Sequence, residues 1–404
     1  MVTVAVIAEY NPFHCGHKYH IEKIREHFGS DTEIVAIMSA NYTQRAECAF
    51  ADKSVRAKAA VDCGVNLVLE IPFPFCMSSA EFYARSGVRI ADSIGVIDYL
   101  SFGSECGSID VLTDISLKMT TDDYKIAFKS LKNDNANKST GYAELCEKAY
   151  ISAFGENISD DIFCPNNILA IEYIKALADI KSAITPHTIK RYGADYNETK
   201  IISDKFQSAS AIRTALADGI EALSYTPYNA RAIYEVAYNN GELPADTQKL
   251  SYPIISSFML NSPDAEVDIH DASGGLYNRL KNNCYRATSI SELVSLTETK
   301  KYTNARIRRA IFNSFFGVTS SEVKELPLYT QVLAMDEIGR KILKRIKKES
   351  DFPVITKPSS TDTLSADALR QKERANTADA IYGLTLPLPK SGDAVLKFTP
   401  YVKK

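Results

Sequence analysis

Apolar runs alternate with amphipathic stretches through the first half of the chain. Five apolar runs predict strands near residues 2–8, 33–38, 66–71, 97–102 and 184–190. Between them, apolar residues recur at helical spacing near residues 16–28, 51–63, 78–93, 108–118, 139–154 and 166–179. This alternation predicts an α/β fold with a Rossmann-like parallel sheet. Its ligand site is expected at the carboxyl ends of the strands.

The pattern becomes mainly helical after about residue 210. Helical periodicity covers residues 210–218, 228–239, 252–260, 275–281, 289–295, 304–316 and 336–347. A polar stretch at 351–376 predicts a loop, and a short apolar segment follows at 380–388. We therefore predict two domains, an α/β domain over 1–225 and a mainly helical domain over 226–404.

Composition places the chain among soluble globular proteins. Its 404 residues are 45% hydrophobic and 24% charged. No apolar run approaches the roughly 20 residues of a membrane span, and no signal-peptide pattern is present, so we expect a cytoplasmic protein without a membrane partner. The 8 cysteines are scattered without any C-x-x-C pair, which indicates reduced thiols rather than disulfides or a zinc site.

The loop after the first strand carries the strongest chemical signal. It reads EYNPFHCGH over residues 9–17, and a helical pattern follows directly. A helix N-terminus offers backbone N–H groups and a favourable dipole to an anion, and Gly16 permits close approach. His14 and His17 can donate hydrogen bonds to phosphate oxygens as charge develops on them. The spacing of His17 and His20 does not suit zinc, so no protein-held metal is predicted.

Three further motifs in the first half, one of them a pair of asparagines, fit a nucleotide site. Gly103 follows the fourth strand and would let an adenosine or ribose pack against the backbone, although a turn glycine explains it almost as well. Asn166 and Asn167 open a helix, where capping accounts for one of them and a ligand contact for the other. Arg191 ends a strand, where its guanidinium could reach phosphate. No G-x-G-x-x-G follows the first strand, which argues against a dinucleotide cofactor.

A second phosphate signal is the string SASAIR at residues 208–213. Serines at a helix start offer hydroxyl and backbone donors to one phosphate, and Arg213 can form a bidentate contact with another. Taken alone, the string is explained by an N-cap and a surface arginine. Its combination with the histidine loop favours the phosphate site.

The net charge of −3 hides one basic segment. Residues 301–348 contain 11 basic and 4 acidic side chains, a surplus of seven positive charges. A solvated helix face is the usual reason for such a run. In an acidic protein, a concentrated basic segment also suits contact with a polyanion such as RNA.

The motifs resemble one family in particular. H-x-G-H after the first strand and S-x-S-x-x-R at a later helix resemble the HIGH-motif nucleotidyltransferase superfamily, with its HUP-type fold. The strings AEYNPFHCGH, SFGSE, PNNIL and SASAIR, together with YTNARIRR at residues 302–309, are similar to the tRNA(Met) cytidine acetate ligase family. This resemblance covers most of the chain. The K-M-S-K-S string of the related synthetases is absent from the sequence.

The resemblance implies a two-step ligase reaction with ATP and Mg²⁺. Acetate attacks the α-phosphate of ATP and gives acetyl-adenylate and pyrophosphate. The N4 amine of the wobble cytidine of elongator tRNA(Met) then attacks the acetyl carbonyl, which leaves N4-acetylcytidine and AMP. Magnesium would bridge phosphate oxygens.

The resemblance also assigns residues to the site. His14 and His17 would stabilise the pentavalent α-phosphate, while Ser210 and Arg213 would hold the departing pyrophosphate. The ATP site would comprise Ile7, Ala8, Glu9, Tyr10, Asn11, Pro12, Phe13, His14, Cys15, Gly16, His17, Lys18, Tyr19, His20, Gly103, Asn167 and Arg191. The tRNA contacts are predicted from the charge of the basic segment itself, which could follow backbone phosphates through Lys301, Arg306, Arg308, Arg309, Lys344, Arg345, Lys347 and Lys348.

Two other functions are compatible with parts of the pattern. A small-molecule adenylyltransferase of the pantetheine-phosphate type would share the phosphate site, but it needs no basic helical half. A non-catalytic RNA-binding protein could keep the pocket as a nucleotide sensor. Carboxylate-dependent exchange of pyrophosphate into ATP would exclude the sensor.

Overall fold

The computed structural model describes residues 1–134, 142–155, 162–191, 207–216, 220–260, 268–299, 301–357, 361–362 and 364–404. The strands are β1 (Thr3–Ala8), β2 (Glu33–Ser39), β3 (Leu67–Ile71), β4 (Tyr99–Ser104), β5 (Thr185–Lys190), β6 (Thr330–Met335), β7 (Val354–Ile355) and β8 (Tyr401–Val402). The helices of the first half are α1 (Cys15–Phe28), α2 (Lys53–Asp62), α3 (Ala80–Ser93), α4 (Ile109–Thr120), α5 (Asp122–Asn133), α6 (Tyr142–Phe154) and α7 (Pro165–Asp179). The later helices are α8 (Ala209–Leu216), α9 (Tyr228–Asn239), α10 (Ser251–Leu260), α11 (Leu276–Cys284), α12 (Ile290–Thr297), α13 (Asn304–Phe316), α14 (Ser320–Lys324), α15 (Glu337–Glu349) and α16 (Ala366–Gly383).

One mixed sheet organises the described residues. Its strand order is β5-β4-β1-β2-β3-β6-β7, and β8 pairs with β6 beside β7. The first five strands are parallel, whereas β6 runs antiparallel to β3. Because β1 to β5 all point the same way, their carboxyl ends meet at one edge of the sheet, where open α/β sheets bind ligands.

The alternation of side chains along the strands supplies two cores. Ala5 and Ile7 of β1 pack on one face of the sheet, while Val4 and Val6 pack on the other. The first face is covered by α3, α4, α7 and the helices from α10 to α13, and the second by α1, α2, α8 and α9. Strands buried on both faces read as continuous apolar runs, which explains the pattern of the sequence.

All five predicted strands are confirmed, each within two residues of its predicted bounds. Five elements were not predicted, namely helices α5 and α14 and strands β6, β7 and β8. Of these, β6 brings the C-terminal half into the sheet. The loop predicted over 351–376 is wrong in its second part, because α16 begins at Ala366 with Ser365 as its N-cap. Residues 139–141 and 217–218 of two predicted helices lie outside the described residues. The domain boundary at 225/226 stays a prediction.

A buried charge cluster joins α16 to the sheet. Lys53, at the start of α2, lies 2.5 Å from a carboxylate oxygen of Glu70 on β3 and 2.5 Å from one of Asp379 on α16. All three residues are nearly inaccessible to solvent. Burial lowers the pKa of Lys53, but the neighbouring charges of Asp379 and Glu70 outweigh it and hold that pKa above its usual range. The cluster therefore ties helix α16 to α2 and β3 of the first half.

No helix among the described residues is long and apolar enough to cross a membrane.

Candidate nucleotide-binding and acyl-transfer site

A cavity of about 470 Å³ opens at the carboxyl ends of the parallel strands. Its floor is the end of β1 with the following loop, and its walls come from the ends of β4 and β5 and from the starts of α1, α7 and α8. Helix α13 closes one side through Ala305 and Arg309. The cavity is large enough for a nucleotide-sized ligand.

Buried hydrogen bonds hold the loop after β1 in place. The fully buried Arg56 of α2 donates to the carbonyl oxygens of Glu9 (2.6 Å), Ser39 (3.1 Å) and Ala40 (2.5 Å). This guanidinium therefore links the carboxyl ends of β1 and β2. Further along the loop, the Asn11 side chain accepts the N–H of Phe50 at 2.7 Å. The loop is preorganised before any ligand binds.

The two motif histidines form a reciprocal cap at the start of α1. Nδ1 of His14 accepts the N–H of Gly16 at 3.0 Å, and Nδ1 of His17 accepts the N–H of His14 at 3.2 Å. The two rings stack with their centroids 3.8 Å apart. Because both Nδ1 atoms accept hydrogen bonds, each neutral ring carries its proton on Nε2. The caps thus leave two Nε2–H donors for a ligand in the cavity.

Both of these imidazoles are neutral at physiological pH. Burial, together with the positive charges of Arg191 and Arg213, lowers the pKa of His14 to about 3. Burial also lowers the pKa of His17 well below its usual value, with a further contribution from His14. The pair therefore acts through hydrogen-bond donation rather than through a fixed positive charge.

Gly16 gives the His14 ring its space. A Cβ at this position would lie 2.8 Å from Cε1 and 3.0 Å from Nδ1 of His14. Replacing Gly16 by alanine is expected to displace the ring and lower the rate of adenylate formation by about 10- to 100-fold. Alanine is the better helix former, so thermal stability should not fall in parallel. Steady-state rates and melting temperatures, measured on the same preparation, check this; unchanged rates would contradict the packing argument.

The end of β4 and the start of α7 form the opposite wall. Gly103 and Arg191 both line the cavity, and a Cβ on Gly103 would lie 3.1 Å from Cγ of Arg191. Asn166 also lines the cavity. Asn167, to which the resemblance assigns the ATP contact, is fully buried, and its side-chain oxygen accepts the N–H of Glu105 at 2.8 Å. Its contact with ATP stays a prediction, and the structure places Asn166 closer to the ligand space.

The second phosphate motif lies beside the histidine loop. Ser210 lines the cavity at the first turn of α8. Arg213 donates to the carbonyl oxygen of Asn11 at 2.6 Å and to Oγ of Ser210 at 3.2 Å. The structure therefore brings the two motifs together through Arg213. In this arrangement the guanidinium positions Ser210 and the loop.

The predicted ATP loop divides into two groups. Most of its members line the cavity, namely Ile7, Ala8, Glu9, Tyr10, Asn11, His14, Gly16, His17 and His20. The others support the wall from behind or lie beside it, namely Pro12, Phe13, Cys15, Lys18 and Tyr19. Phe13, for example, is fully buried, and its ring centroid lies 5.5 Å from that of His17.

Sequence reasoning missed the residues that line the far side of the cavity. Gln44 and Arg45 follow β2, and Tyr83 comes from α3. The signal was available for the first two, because the loop after β2 must reach the same sheet edge as the loop after β1. Arg309 was assigned to tRNA binding alone, yet it lines the cavity and pairs with Asp271 at 2.6 Å.

The lining of the cavity favours an anion. Its basic and imidazole side chains are His14, His17, His20, Arg45, Arg191 and Arg309. Glu9 is the one carboxylate among the described lining residues, and its Oε1 accepts the N–H of Gln44 at 2.8 Å. The described residues contain no group of His, Cys, Asp or Glu side chains that could hold a metal ion alone. The requirement for magnesium stays a prediction from the resemblance.

The two predicted tRNA segments lie at opposite edges of the sheet. Helix α13 borders the cavity at the carboxyl edge through Arg309. On α15, Arg345 pairs with Glu33 at 2.7 Å and donates to Oγ1 of Thr3 at 2.5 Å. Thr3 and Glu33 are the first residues of β1 and β2, so α15 crosses the amino edge. A single polyanion must therefore pass along the protein to contact both segments.

Several of the predicted tRNA contacts also have structural partners. Lys301 donates to the carbonyl oxygen of Gly274 at 2.8 Å, and Arg306 donates to that of Asp271 at 3.0 Å. Nη1 of Arg308 lies 3.6 Å from Oε1 of Glu47. Three of the α15 residues are exposed: Lys344, Lys347 and Lys348. Their assignment to tRNA stays a prediction.

Comparisons with known proteins agree with this geometry. The family model described as HIGH Nucleotidyl Transferase matches residues 1–391. A tRNA(Met) cytidine acetate ligase of Caldanaerobacter subterraneus is 38% identical over 391 residues, which cover 95% of each chain. A protein of the same name from Acetivibrio thermocellus is 34% identical over 99% of each chain.

Two solved structures have the same fold along the whole chain. One is TmcAL of Thermotoga maritima with alpha-thio ATP bound, which superposes with a TM-score of 0.88 at 28% identity. The other is the apo form of the same protein, with a TM-score of 0.91 at 29% identity. Each comparison covers 100% of this chain and 99% of the other. The chain therefore belongs to the HIGH nucleotidyl transferase family and, within it, to the tRNA(Met) cytidine acetate ligases.

Proposed function

We propose that this chain is an ATP-dependent ligase that activates acetate as acetyl-adenylate and transfers the acetyl group to N4 of the wobble cytidine of elongator tRNA(Met). The observation that carries the proposal is the pair of Nε2–H donors of His14 and His17, fixed by reciprocal caps in an electropositive cavity. The names of the relatives supply the substrate class.

The first step needs positioning and charge stabilisation rather than a covalent protein intermediate. A carboxylate oxygen of acetate attacks the α-phosphorus, an O–P bond forms, and the bond to pyrophosphate breaks. Negative charge spreads over the phosphate oxygens in the transition state, where His14 and His17 donate hydrogen bonds. We assign Ser210 to the pyrophosphate and Arg191 to the nucleotide phosphates, because both residues line the cavity. A magnesium ion bound to the phosphates would neutralise part of their charge.

The second step needs the cytidine at the same cavity. Arg45, Tyr83 and Arg309 line the side that the nucleotide motifs leave open. We assign this side to acetate and the incoming base, because the adenylate would extend from Gly103 across the histidine loop. Helix α13 would then contact the tRNA backbone beside the splayed base, and α15 would contact a more distant part of the same tRNA.

The two half-reactions can be tested separately. Acetate-dependent exchange of labelled pyrophosphate into ATP reports the first step, and N4-acetylcytidine in digested tRNA reports the second. We expect both activities from one purified protein. Exchange without any modified tRNA would favour a small-molecule adenylyltransferase, and the absence of exchange with any carboxylate would favour a nucleotide sensor.

The two basic segments give a prediction about salt dependence. Replacing Lys344, Lys347 and Lys348 by glutamate should weaken tRNA binding. The slope of log binding constant against log salt concentration should become less negative by about 2. Pyrophosphate exchange should be unchanged, because α15 lies at the edge opposite the cavity. The same change at Lys125, Lys129 and Lys132 on α5 is the matched control. Equal losses of tRNA affinity in the two triple variants would show that α15 does not contact the tRNA.

A further inference from the structure

One buried amide in the cavity lining lacks a partner within the described part of the chain. Gln44 lines the cavity, and its Nε2 is buried without a hydrogen-bond partner among the described residues. An unsatisfied buried donor destabilises a folded protein, because the group has lost its water without gaining a replacement. When such a donor lines a binding cavity, a ligand atom is the natural acceptor for it.

Gln44 lies on the side of the cavity that we assign to acetate. Strand β2 flanks β1 on one side, while β4 and β5, the strands of the wall assigned to the nucleotide, lie on the other. Gln44 follows β2, and its backbone N–H donates at 2.8 Å to Oε1 of Glu9, the residue directly after β1. The Tyr83 hydroxyl lies 3.1 Å from Oγ of Ser39, the last residue of β2. Gln44 and Tyr83 therefore both lie at the carboxyl end of β2, away from the nucleotide wall.

A tight turn fixes the backbone around Gln44. Tyr42 and Cys48 pair as an antiparallel bridge, and the N–H of Thr43 donates to the carbonyl oxygen of Glu47 at 3.0 Å. With its own N–H held as well, Gln44 has little backbone freedom left to lose when a ligand binds. The amide is thus carried by a preorganised support, which favours tight and directional binding.

The proposed reaction places an acyl oxygen next to the phosphate that the histidines hold. When acetate attacks, one carboxylate oxygen bonds to the α-phosphorus and the other becomes the carbonyl oxygen of acetyl-adenylate. In the second step the C–N bond forms, the C–O bond to AMP breaks, and N4 releases one proton to water. Negative charge develops on the same carbonyl oxygen before AMP leaves. A donor to this oxygen therefore binds acetate in the first step and stabilises the oxyanion in the second.

We propose that Nε2 of Gln44 donates a hydrogen bond to the acyl oxygen of acetate and of acetyl-adenylate. This inference rests on the proposed function and deepens it by assigning the residue that recognises the carboxylate substrate. The neighbouring Arg45 also lines the cavity and adds positive potential on the same side. The amide supplies direction, and the guanidinium supplies long-range attraction for the carboxylate.

The test removes the donor and keeps the length of the side chain. In Gln44→Met, the KM for acetate in pyrophosphate exchange should rise at least about tenfold. Transfer from preformed acetyl-adenylate to tRNA should fall by about 100-fold, the typical effect of losing one oxyanion donor. The melting temperature without ligands should not fall, because the unsatisfied buried group is removed. Gln44→Glu should raise the acetate KM further than Gln44→Met, since its carboxylate repels the substrate.

A matched control and the contrary outcomes complete the experiment. Gln248→Met changes an exposed glutamine that donates to Oγ of Ser291 at 3.1 Å, and it should leave the acetate KM as in the wild type. A lower melting temperature of Gln44→Met, with ATP binding lost in parallel, would overturn the inference in favour of a structural role. An acetate KM and a transfer rate like those of the wild type would overturn it as well. A wild-type protein without carboxylate-dependent exchange would instead overturn the proposed function, and the role of Gln44 with it.

Discussion

Replacing His14 or His17 by alanine is expected to lower the rate of adenylate formation by at least about 10²-fold while the protein stays folded. Each ring presents an Nε2–H to the cavity because its Nδ1 already accepts a backbone N–H. Losing one preorganised donor to a developing phosphate charge typically costs about 3 to 4 kcal/mol of transition-state stabilisation. Losing the helix cap costs only about 1 kcal/mol of stability. Acetate-dependent pyrophosphate exchange, followed together with thermal melting, measures both effects.

Two conservative variants separate the cap from the donor. In His14→Asn, the side-chain oxygen can still cap the Gly16 N–H, but the amide does not reach as far as the imidazole Nε2. In His17→Gln, one amide can accept the His14 N–H and also donate into the cavity. We therefore expect His14→Asn to be as slow as the alanine variant and His17→Gln to keep part of the activity. Near-normal pyrophosphate exchange in His14→Asn would show that the Nε2–H of His14 does not contribute to catalysis.

Replacing Lys53 by methionine is expected to lower the free energy of unfolding by about 3 to 5 kcal/mol. The substitution leaves the carboxylates of Glu70 and Asp379 buried together without their shared ammonium. Removing one partner of a buried ion pair is costly, because the remaining charge loses its compensation and cannot be rehydrated. Urea unfolding measures the loss in free energy of unfolding. The control is Lys347→Met, which changes an exposed lysine. A loss below about 1 kcal/mol would show that the cluster does not hold α16 to the sheet.

The stability of Lys53→Met should depend on pH. Burial raises the pKa of Asp379 to about 6, so the folded protein binds this proton more tightly than the unfolded chain. By linkage, the stability contributed by this protonation is complete at low pH and is lost as the pH rises through about 6. Lys53→Met should strengthen this effect, and its destabilisation should shrink as the pH is lowered from about 8 to about 5. Replacing Asp379 by asparagine in the same background should reduce the pH dependence to the part that Glu70 contributes.

The parallel part of the fold was predictable because strands buried on both faces leave continuous apolar runs. Strand β6 was missed even though Val332, Leu333, Ala334 and Met335 form such a run before Asp336. It lies between two amphipathic stretches in a helical region, where a short apolar run can equally belong to a helix. Helix α16 was missed in part because its first turns are polar, and its buried Gln371, Lys372 and Asp379 do not look like a core face.

The nucleotide side of the site was predictable because its chemistry lies in short local strings. His14, Gly16 and His17 are three nearby residues, and one helix turn is enough to bring them together. The side of the cavity that we propose for the acyl group was not predictable, because Arg45, Tyr83 and Arg309 come from three elements that meet only in the folded chain. The separation of α13 from α15 was equally hidden, since it follows from β6 joining β3 in an antiparallel direction.

The most direct test of the central claim is nucleoside mass spectrometry of elongator tRNA(Met) transcripts. The purified protein is incubated with ATP, Mg²⁺ and ¹³C-labelled acetate, using one transcript with the wobble cytidine and one with uridine in its place. We predict labelled N4-acetylcytidine in the first transcript, no label in the second, and AMP formed in step with the product. ATP cleavage that depends on acetate, with both transcripts unlabelled, would contradict the assignment of the cytidine as acyl acceptor.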